Sequence, residues 1–324
     1  MANNKKNDLK TNKYSSKPDI IIEYNYNFDN FSPVTVIYVR PESNYLAYEN
    51  AIIKGIHKYS EIIYMANISG ILFIKDALVL EHHSAQYHFA IFGKSEIAKY
   101  PEMIKKFENH FNISFEKAEI IGSFEAILKL KISQEELFHT FVNDKNFLKY
   151  YGQTIKKIND YYIVNYDIPA LIEKYTPSIN VFVIVAKFKK SDFSFISLNQ
   201  SISKEIMSNN KSPIITFNSE KYKDLNWMEK VKRTYHFSNN HIMAMFDMID
   251  FVFKKDGAHI SFNETPLGHI LINNNIDEKK LMKLKDYPIV YINKNGNKAL
   301  VNLIDEANDK NLNQCVDLIK SIIW

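Results

Sequence analysis

Hydrophobic residues in the first third of the chain alternate between strand-like and helix-like spacing. Val34 to Arg40 is rich in β-branched residues and stops at a proline, whereas apolar positions from Tyr45 to Tyr59 fall on one helical face. The first pattern is typical of a strand and the second of an amphipathic helix. The same criteria predict further strands at 61–67, 71–80, 86–92 and 118–121, and a helix over 95–111.

The predicted order of these elements is β-α-β-β-α-β. This order is typical of the ferredoxin-like fold, in which two helices cover one face of an antiparallel sheet. We therefore expect an α+β (mixed α/β) protein in which residues 31–150 form a ferredoxin-like module.

The second half of the chain has α/β character. Strands are predicted at 181–188, 193–198 and 213–217, helices at 134–151, 201–209, 220–235, 241–254, 278–285 and 308–324, and hairpins over 154–166, around Gly268 and through Asn295-Gly296. The 241–254 helix carries few polar residues, so we expect it to be largely buried. The expected division is a basic tail and lead-in over 1–30, the ferredoxin-like module over 31–150, and an α/β module with a C-terminal helix over 151–324.

Composition and charge indicate a folded protein without an overall basic surface. The chain has 46% hydrophobic and 24% charged residues, within the globular range. The formal net charge of +4 equals that of residues 1–17, which carry five lysines and one aspartate, so the rest of the chain is balanced. No apolar run approaches the roughly 20 residues of a membrane-spanning helix, and the N-terminus lacks the apolar core of a secretion signal. With a single cysteine, Cys315, we expect a cytoplasmic protein.

Glycine spacing excludes the standard phosphate-binding loops. None of the eight glycines lies within ten residues of another, whereas dinucleotide and kinase loops need closely spaced glycines so that backbone amides approach the phosphates. The hydrolase GxSxG and metalloprotease HExxH signatures are also absent. We therefore favour a non-catalytic regulatory or interaction protein that binds a small ligand or a protein partner, with no particular cofactor indicated.

A partial phosphate-loop pattern is present at Lys94 and Ser95. These residues follow a predicted strand and open a predicted helix, but His88 stands where the first glycine of the loop belongs. A helix N-terminus capped by Ser95, with Lys94 beside it, could still bind an anion or nucleotide. A plain turn with a capped helix is the more frequent explanation of such a pattern.

Three histidines fall between positions 82 and 88. On a strand, His82 and His88 would share a face, and both are candidate metal ligands. Zinc needs three or four ligands, so at least one would have to come from elsewhere. Exposed or hydrogen-bonded histidines without a metal are the usual alternative.

A second polar group lies in the last third of the chain and offers acid, base and ligand chemistry. Its members are His236, His241, Asp247, Asp250, His259, Glu264 and His269. Carboxylates near a core must be paired, hydrogen-bonded or functional, so we select His241, Asp247, Asp250 and His259 as candidate catalytic residues of a hydrolase or transferase. The alternative is that these polar residues form a solvated helix face without a catalytic role.

The lysine-rich N-terminal tail supports a third hypothesis. Five lysines within residues 1–17 could bind a nucleic acid weakly and in a salt-dependent way. Such runs are usually only solvated. We expect that the protein has no membrane partner. Binding to a nucleic acid is expected only through this tail.

Overall fold

The computed structural model describes residues 17–190, 194–208, 230–231 and 233–324. Its strands are β1 (Asp19–Ile22), β2 (Val34–Val39), β3 (Ser60–Ser69), β4 (Glu119–Gly122), β5 (Phe147–Tyr150), β6 (Gln153–Ile158), β7 (Tyr161–Val164), β8 (Asn180–Phe188), β9 (Tyr235–Phe237), β10 (Ile289–Lys294) and β11 (Asn297–Asn302). The α+β class expected from the sequence is confirmed.

Helices lie between and around these strands. Within the described residues they are α1 (Leu46–His57), α2 (Gly70–Lys75), α3 (Leu78–His82), α4 (Ser84–Phe92), α5 (Lys94–Ile97), α6 (Pro101–Phe111), α7 (Ser123–Leu130), α8 (Gln134–His139), α9 (Ile168–Glu173), α10 (Phe195–Ser208), α11 (His241–Phe251), α12 (Pro266–Asn273), α13 (Glu278–Asp286), α14 (Leu303–Glu306) and α15 (Leu312–Lys320). None of these helices has both the length and the apolar composition needed to cross a membrane.

The chain forms two compact units, each built from two stretches of sequence. Unit 1 contains the residues up to Val79 together with Tyr175–Pro266, and unit 2 contains Leu80–Lys174 together with Leu267–Trp324. The predicted boundary at residues 150 and 151 falls inside unit 2, at the turn where β5 pairs with β6. The division of the chain into separately folding domains at that boundary stays a prediction.

Unit 1 is centred on a five-stranded antiparallel sheet in the order β1-β3-β8-β2-β9. Every residue of β2 is buried, as a run of β-branched and aromatic residues in an inner strand requires. One face of the sheet packs against α1 and α10, where Ile52, Ile56, Leu198 and Ile202 complete a hydrophobic core. This packing determines which β2 and β9 side chains face the other way.

Unit 2 contains a four-stranded sheet and a separate hairpin. The sheet order is β4-β7-β6-β5, in which β4 and β7 are parallel and the other pairs antiparallel, and β10 pairs with β11. The hairpins predicted over 154–166, which turns at Asn159-Asp160, and through Asn295-Gly296 are confirmed by the pairs β6–β7 and β10–β11. These turns carry the short sequence signals that fix strand register.

The predicted ferredoxin-like order does not occur, because two of its strands are helices. Residues 71–80 form most of α2 and α3, and residues 86–92 lie in α4. In α4 the buried positions Ala85, Phe89 and Ala90 follow helical spacing, whereas Ile91 is exposed. A short apolar run fits either structure, and here the helical periodicity prevails.

Three other predicted elements also differ from the structure. Residues 195–198 belong to α10, where Leu198, Ile202 and Ile206 are buried at intervals of one helical turn. The segment around Gly268 is helix α12, which begins at Pro266, a residue that suits the first position of a helix. The helix predicted over 134–151 ends at His139, because residues 147–150 pair with β6.

The sequence-based elements in the undescribed segments are not assigned. The strand at 213–217, most of the helix at 220–235 and the tail up to residue 16 lie outside the described residues. The lead-in that follows the tail contributes β1, which forms the edge of the unit 1 sheet beside β3.

Candidate functional site

Strand pairing in unit 1 places polar side chains on the sheet face that carries α11. Strand β9 pairs with β2 so that His236 lies opposite Tyr38. Their neighbours Ile37 and Phe237 enter the core formed with α1 and α10. Because successive side chains alternate across a sheet, Tyr38 and His236 point to the opposite face, where α11 packs against β2.

His236 and Asp247 form a buried pair on that face. The Nε2 atom of His236 is 2.7 Å from Oδ2 of Asp247, which lies on α11. The two residues are only 9% and 2% exposed. A buried carboxylate is strongly destabilising unless hydrogen bonds replace its water, and the imidazole supplies one of them.

Ser238 supplies a second hydrogen bond to the same carboxylate oxygen. Its hydroxyl donates to Asp247 Oδ2 at 2.5 Å and accepts from the backbone N–H of Val36 at 3.1 Å. The serine proton is therefore directed at the carboxylate and not at His236. This arrangement differs from a Ser-His-Asp triad, in which the imidazole takes the proton of the serine.

Tyr38 joins the pair to a second tyrosine. Its ring stacks on that of His236, and its hydroxyl is hydrogen-bonded to the hydroxyl of Tyr175. Burial raises the pKa of Tyr38 well above its usual value and that of Tyr175 to about 12. Arg40 lowers the pKa of both groups by its positive charge, which opposes the effect of burial. Both tyrosines are therefore neutral hydrogen-bonding groups at pH 7.

The four candidate catalytic residues do not assemble into one site. Asp247 contacts His236 and Ser238, whereas His241 begins α11 and meets the ring of Phe195 edge-on at 5.2 Å. Burial lowers the pKa of His241 to about 4, so it is uncharged at pH 7. Within the described part of the chain, no three of the four predicted residues bring potential ligand atoms within 4.8 Å of one another.

The other two candidates have separate surroundings. Asp250 is buried on α11, and His259 Nδ1 is 2.8 Å from the carbonyl oxygen of Ile249. The Nε2 atom of His259 is 4.0 Å from Asp76. Of the four candidate catalytic residues, only Asp247 lies in the polar cluster that Tyr38, His236, Ser238 and Asp247 form on the sheet face that carries α11.

Lys94 and Ser95 are engaged in local contacts. Lys94 Nζ donates to the carbonyl oxygens of Glu116 and Ala118 at 3.0 and 3.3 Å. The hydroxyl of Ser95 donates to Phe92 O at 2.9 Å, and Gly93 occupies the N-cap position, so the predicted Ser95 cap is wrong. The preceding strand is also absent, because residues 86–92 are helical. Anion or nucleotide binding at Lys94 and Ser95 stays a prediction without the structural context that suggested it.

His82 and His88 lie on different helices, so the shared strand face that paired them does not exist. His82 ends α3 and its ring contacts that of His83 edge-on, with centroids 4.5 Å apart. His88 stacks on Tyr287 at 5.1 Å. Their role as metal ligands stays a prediction.

Sequence reasoning missed Tyr38 and Arg40 and did not select His236. A detectable signal existed for the first two, since alternate positions of Val34 to Arg40 share one face and place both residues together at the end of the strand. His236 was not selected because residues 220–235 were predicted to be helical. No strand was predicted there, so His236 could not be assigned to a face of a sheet. Pairing between β2 and β9 links residues almost 200 positions apart, which no local pattern reveals.

No family model, curated protein or solved structure matches the chain.

Proposed function

We propose that the protein is an enzyme of the hydrolase or transferase type in which His236 transfers a proton and Asp247 orients it. The observation that carries this proposal is the 2.7 Å contact between His236 Nε2 and Asp247 Oδ2 within the buried polar cluster of unit 1. Histidine is the commonest general acid or base, since its ordinary pKa lies near neutrality.

The carboxylate determines which imidazole nitrogen carries the proton. When Nε2–H donates to Asp247, the neutral ring carries its lone pair on Nδ1, so Nδ1 is the basic nitrogen. The negative charge of Asp247 also stabilises the imidazolium that forms when Nδ1 takes a proton. Stacking on Tyr38 and the bond to Ser238 hold the ring and the carboxylate in this geometry.

Stabilisation of the fold does not by itself explain why His236 and Asp247 form a buried pair. Replacing a buried ion pair with well-packed apolar residues is often neutral or stabilising, by about 1–4 kcal/mol. The positions around His236 and Asp247 on β2 and α11 are apolar, including Val36 and Phe251. A proton-transfer role accounts for polar residues where apolar ones would pack as well.

A non-catalytic role is the alternative. Its ligand would be a small molecule or a protein partner, bound without chemical change, and its role regulatory. Neutral composition outside the tail and the absence of standard catalytic motifs support it. A cytoplasmic location is a further proposal, supported by the single cysteine. Nucleic-acid binding through the lysine-rich tail is another.

An untargeted conversion assay separates these functions. Purified protein is incubated with a small-molecule extract, and mass spectrometry compares wild type, His236→Asn, Asp247→Asn and the control His57→Asn, whose side chain is exposed at the end of α1. We expect conversion of at least one compound by wild type and His57→Asn, with a loss of about 100-fold or more in the other two, the scale of general acid–base catalysis. Conversion unaffected by His236→Asn, or ligand retained without conversion, contradicts the proposal.

A further inference from the structure

The turn of the β10–β11 hairpin contains the one asparagine–glycine pair of the sequence. Lys294 pairs with Asn297, so Asn295 and Gly296 form a two-residue loop between the strands. Both have positive φ, +54° and +82°, as the favoured type I′ turn requires of its central residues. Both are exposed, and nothing lies within 4 Å of the Cβ position of Gly296. The peptide group between them is therefore accessible to water.

An asparagine followed by glycine can react with the next backbone nitrogen. The Gly296 nitrogen gives its proton to hydroxide and attacks Cγ of Asn295, which forms an N–Cγ bond and closes a succinimide ring. The bond from Cγ to Nδ2 breaks, and Nδ2 leaves as ammonia after taking a proton from water. Water then opens either carbonyl–nitrogen bond of the ring and leaves aspartate or isoaspartate at this position. Glycine favours ring closure because it has no Cβ to obstruct the attack.

The two reacting groups of this turn differ in their hydrogen bonding. Among the described residues, none forms a hydrogen bond with the side-chain amide of Asn295. The N–H of Gly296, in contrast, donates to Oδ1 of Asn293 at 2.9 Å. A nitrogen that donates a hydrogen bond is more costly to deprotonate, because the bond is lost with the proton. The Asn293 side chain therefore opposes the first step of the reaction.

Asn275 provides a comparison within the same chain. It is also exposed and has φ of +64°, and no described residue bonds its side chain. The next residue is Ile276, whose branched side chain is stiff and crowds its own nitrogen. The N–H of Ile276 also donates to the carbonyl oxygen of Leu271 at 3.0 Å. Asn275 and Asn295 are thus alike in exposure and in the sign of φ, but only Asn295 is followed by an unobstructed nitrogen.

We infer that Asn295 is a site of spontaneous deamidation through a succinimide with Gly296, and that the Asn293 side chain slows this reaction by holding the Gly296 N–H. The reaction consumes only water and does not depend on the proposed enzymatic function. Aspartate adds one negative charge to the turn. Isoaspartate inserts an extra carbon atom into the backbone of a two-residue loop, whose length determines the register of β10 and β11.

Peptide mapping of aged protein measures this reaction. Wild type and variants are incubated at constant pH and temperature, and mass spectrometry follows replacement of the amide by a carboxyl group at Asn295 and Asn275. Digestion at mildly acidic pH limits deamidation during sample preparation, because hydroxide is scarce there. Electron-transfer fragmentation distinguishes isoaspartate from aspartate. The variants are Asn293→Ala, Gly296→Ala and the control Asn27→Ala.

Asn27 is a matched control for Asn293. It is exposed, and its Oδ1 accepts the backbone N–H of Asp29 at 2.8 Å, so the control also removes a side-chain bond to a backbone amide. A second series in concentrated urea repeats the measurement on unfolded chains. There the hydrogen bond from Gly296 to Asn293 is absent, which separates the effect of that bond from an effect of the local sequence.

We expect wild type to deamidate at Asn295 faster than at Asn275, with isoaspartate among the products. Asn293→Ala should raise the rate at Asn295 about 2- to 10-fold, the factor that corresponds to one lost hydrogen bond. Gly296→Ala should lower the rate, and Asn27→Ala should leave it unchanged. In urea, wild type and Asn293→Ala should react at the same rate.

Three results would overturn the inference. The first is no conversion at Asn295 in either wild type or Asn293→Ala. The second is an Asn295 product without isoaspartate, because the succinimide opens at both carbonyls. The third is a rate in folded Asn293→Ala equal to that of wild type, or an acceleration that persists unchanged in urea.

Discussion

The ring of Tyr38 lies almost parallel to the imidazole of His236, with centroids 4.6 Å apart and 15° between the planes. The two residues are directly opposite each other on β2 and β9, so their rings meet as a cross-strand pair. At its edge, the imidazole contacts Asp247 through Nε2. A stacked ring and a carboxylate thus hold one histidine in a defined orientation, and orientation is what a proton-transfer group requires.

Removing the Asp247 carboxylate should strongly destabilise unit 1. Asp247→Ala leaves the buried His236 and Ser238 without their shared acceptor, and each buried donor left unsatisfied costs about 1–3 kcal/mol. Urea unfolding should show this loss of free energy of unfolding. The control Asp29→Ala, at an exposed position, should stay within about 0.5 kcal/mol of wild type. Equal stability of the two variants would show that the buried contact contributes little.

His241 should make the protein sensitive to mild acid. Its pKa is about 4 in the folded protein because of burial, below the ordinary 6.5, so the unfolded chain takes up the proton first as pH falls. Its contribution to stability is present above pH 6.5 and is lost as pH falls towards 4, by up to about 3 kcal/mol.

Replacement of this histidine tests that pH dependence. His241→Phe should flatten the fall in urea-derived stability between pH 6.5 and 4.5, whereas the exposed-site control His57→Asn should keep the wild-type slope. A slope shared by wild type and both variants would assign the acid sensitivity to other groups.

Lys156 should make stability rise with pH as His241 does, but in the alkaline range. Its Nζ donates to Thr140 O at 2.7 Å and lies 3.5 Å from the centre of the Tyr166 ring, and burial lowers its pKa to about 8. Between pH 8 and the ordinary 10.5 the unfolded chain holds the proton and the folded protein does not, so the cost of burying the charge disappears as pH rises.

The stability of Lys156→Met relative to wild type should therefore change with pH. We expect wild type to gain on the variant between pH 7 and 10, as measured by urea unfolding at both values. Lys145→Met, at an exposed position, should show a constant difference from wild type. A Lys156→Met difference that does not change with pH would mean that the carbonyl oxygens around Nζ keep the lysine charged.

Close backbone approach at Gly93 should make alanine costly there. Gly93 has φ of +49°, and a Cβ would lie 2.5 Å from the backbone nitrogen of Gly122. Gly296 also has positive φ, at +82°, but has nothing within 4 Å of its Cβ position. A residue with a side chain at a left-handed position incurs backbone strain of about 1 kcal/mol. The strain is larger at Gly93, whose ψ of −113° lies outside the left-handed helical region.

The difference between these two variants reports the close contact at Gly93 together with its additional backbone strain. Gly93→Ala should be less stable than Gly296→Ala by about 1–3 kcal/mol, the usual cost of overpacking. Guanidinium unfolding of each variant measures this difference. If the two changes cost the same, the backbone at Gly122 yields and the contact is not tight.

Predictability along the chain followed the strength of local patterns. The strands β2 and β8 were predicted because their β-branched runs are long and bounded by turn or proline signals. The segment that forms α4 was predicted as a strand because its apolar residues fit both periods, and only packing of Phe89 and Ala90 decided between them. The turn at Tyr151-Gly152 was missed because its sequence is not one of the usual hairpin signals, although both residues adopt positive φ.

The sequence alone determined the α+β class, the inner strands of unit 1, the buried character of α11 and the location of the net charge. These depend on composition and on periodicity within a few residues. The tertiary structure decided which polar groups meet. Asp247 could be recognised as a carboxylate on an apolar helix, but its partner His236 became visible only when β9 paired with β2. That pairing joins residues far apart in the chain through backbone hydrogen bonds and burial of the opposite sheet face, which no local pattern encodes.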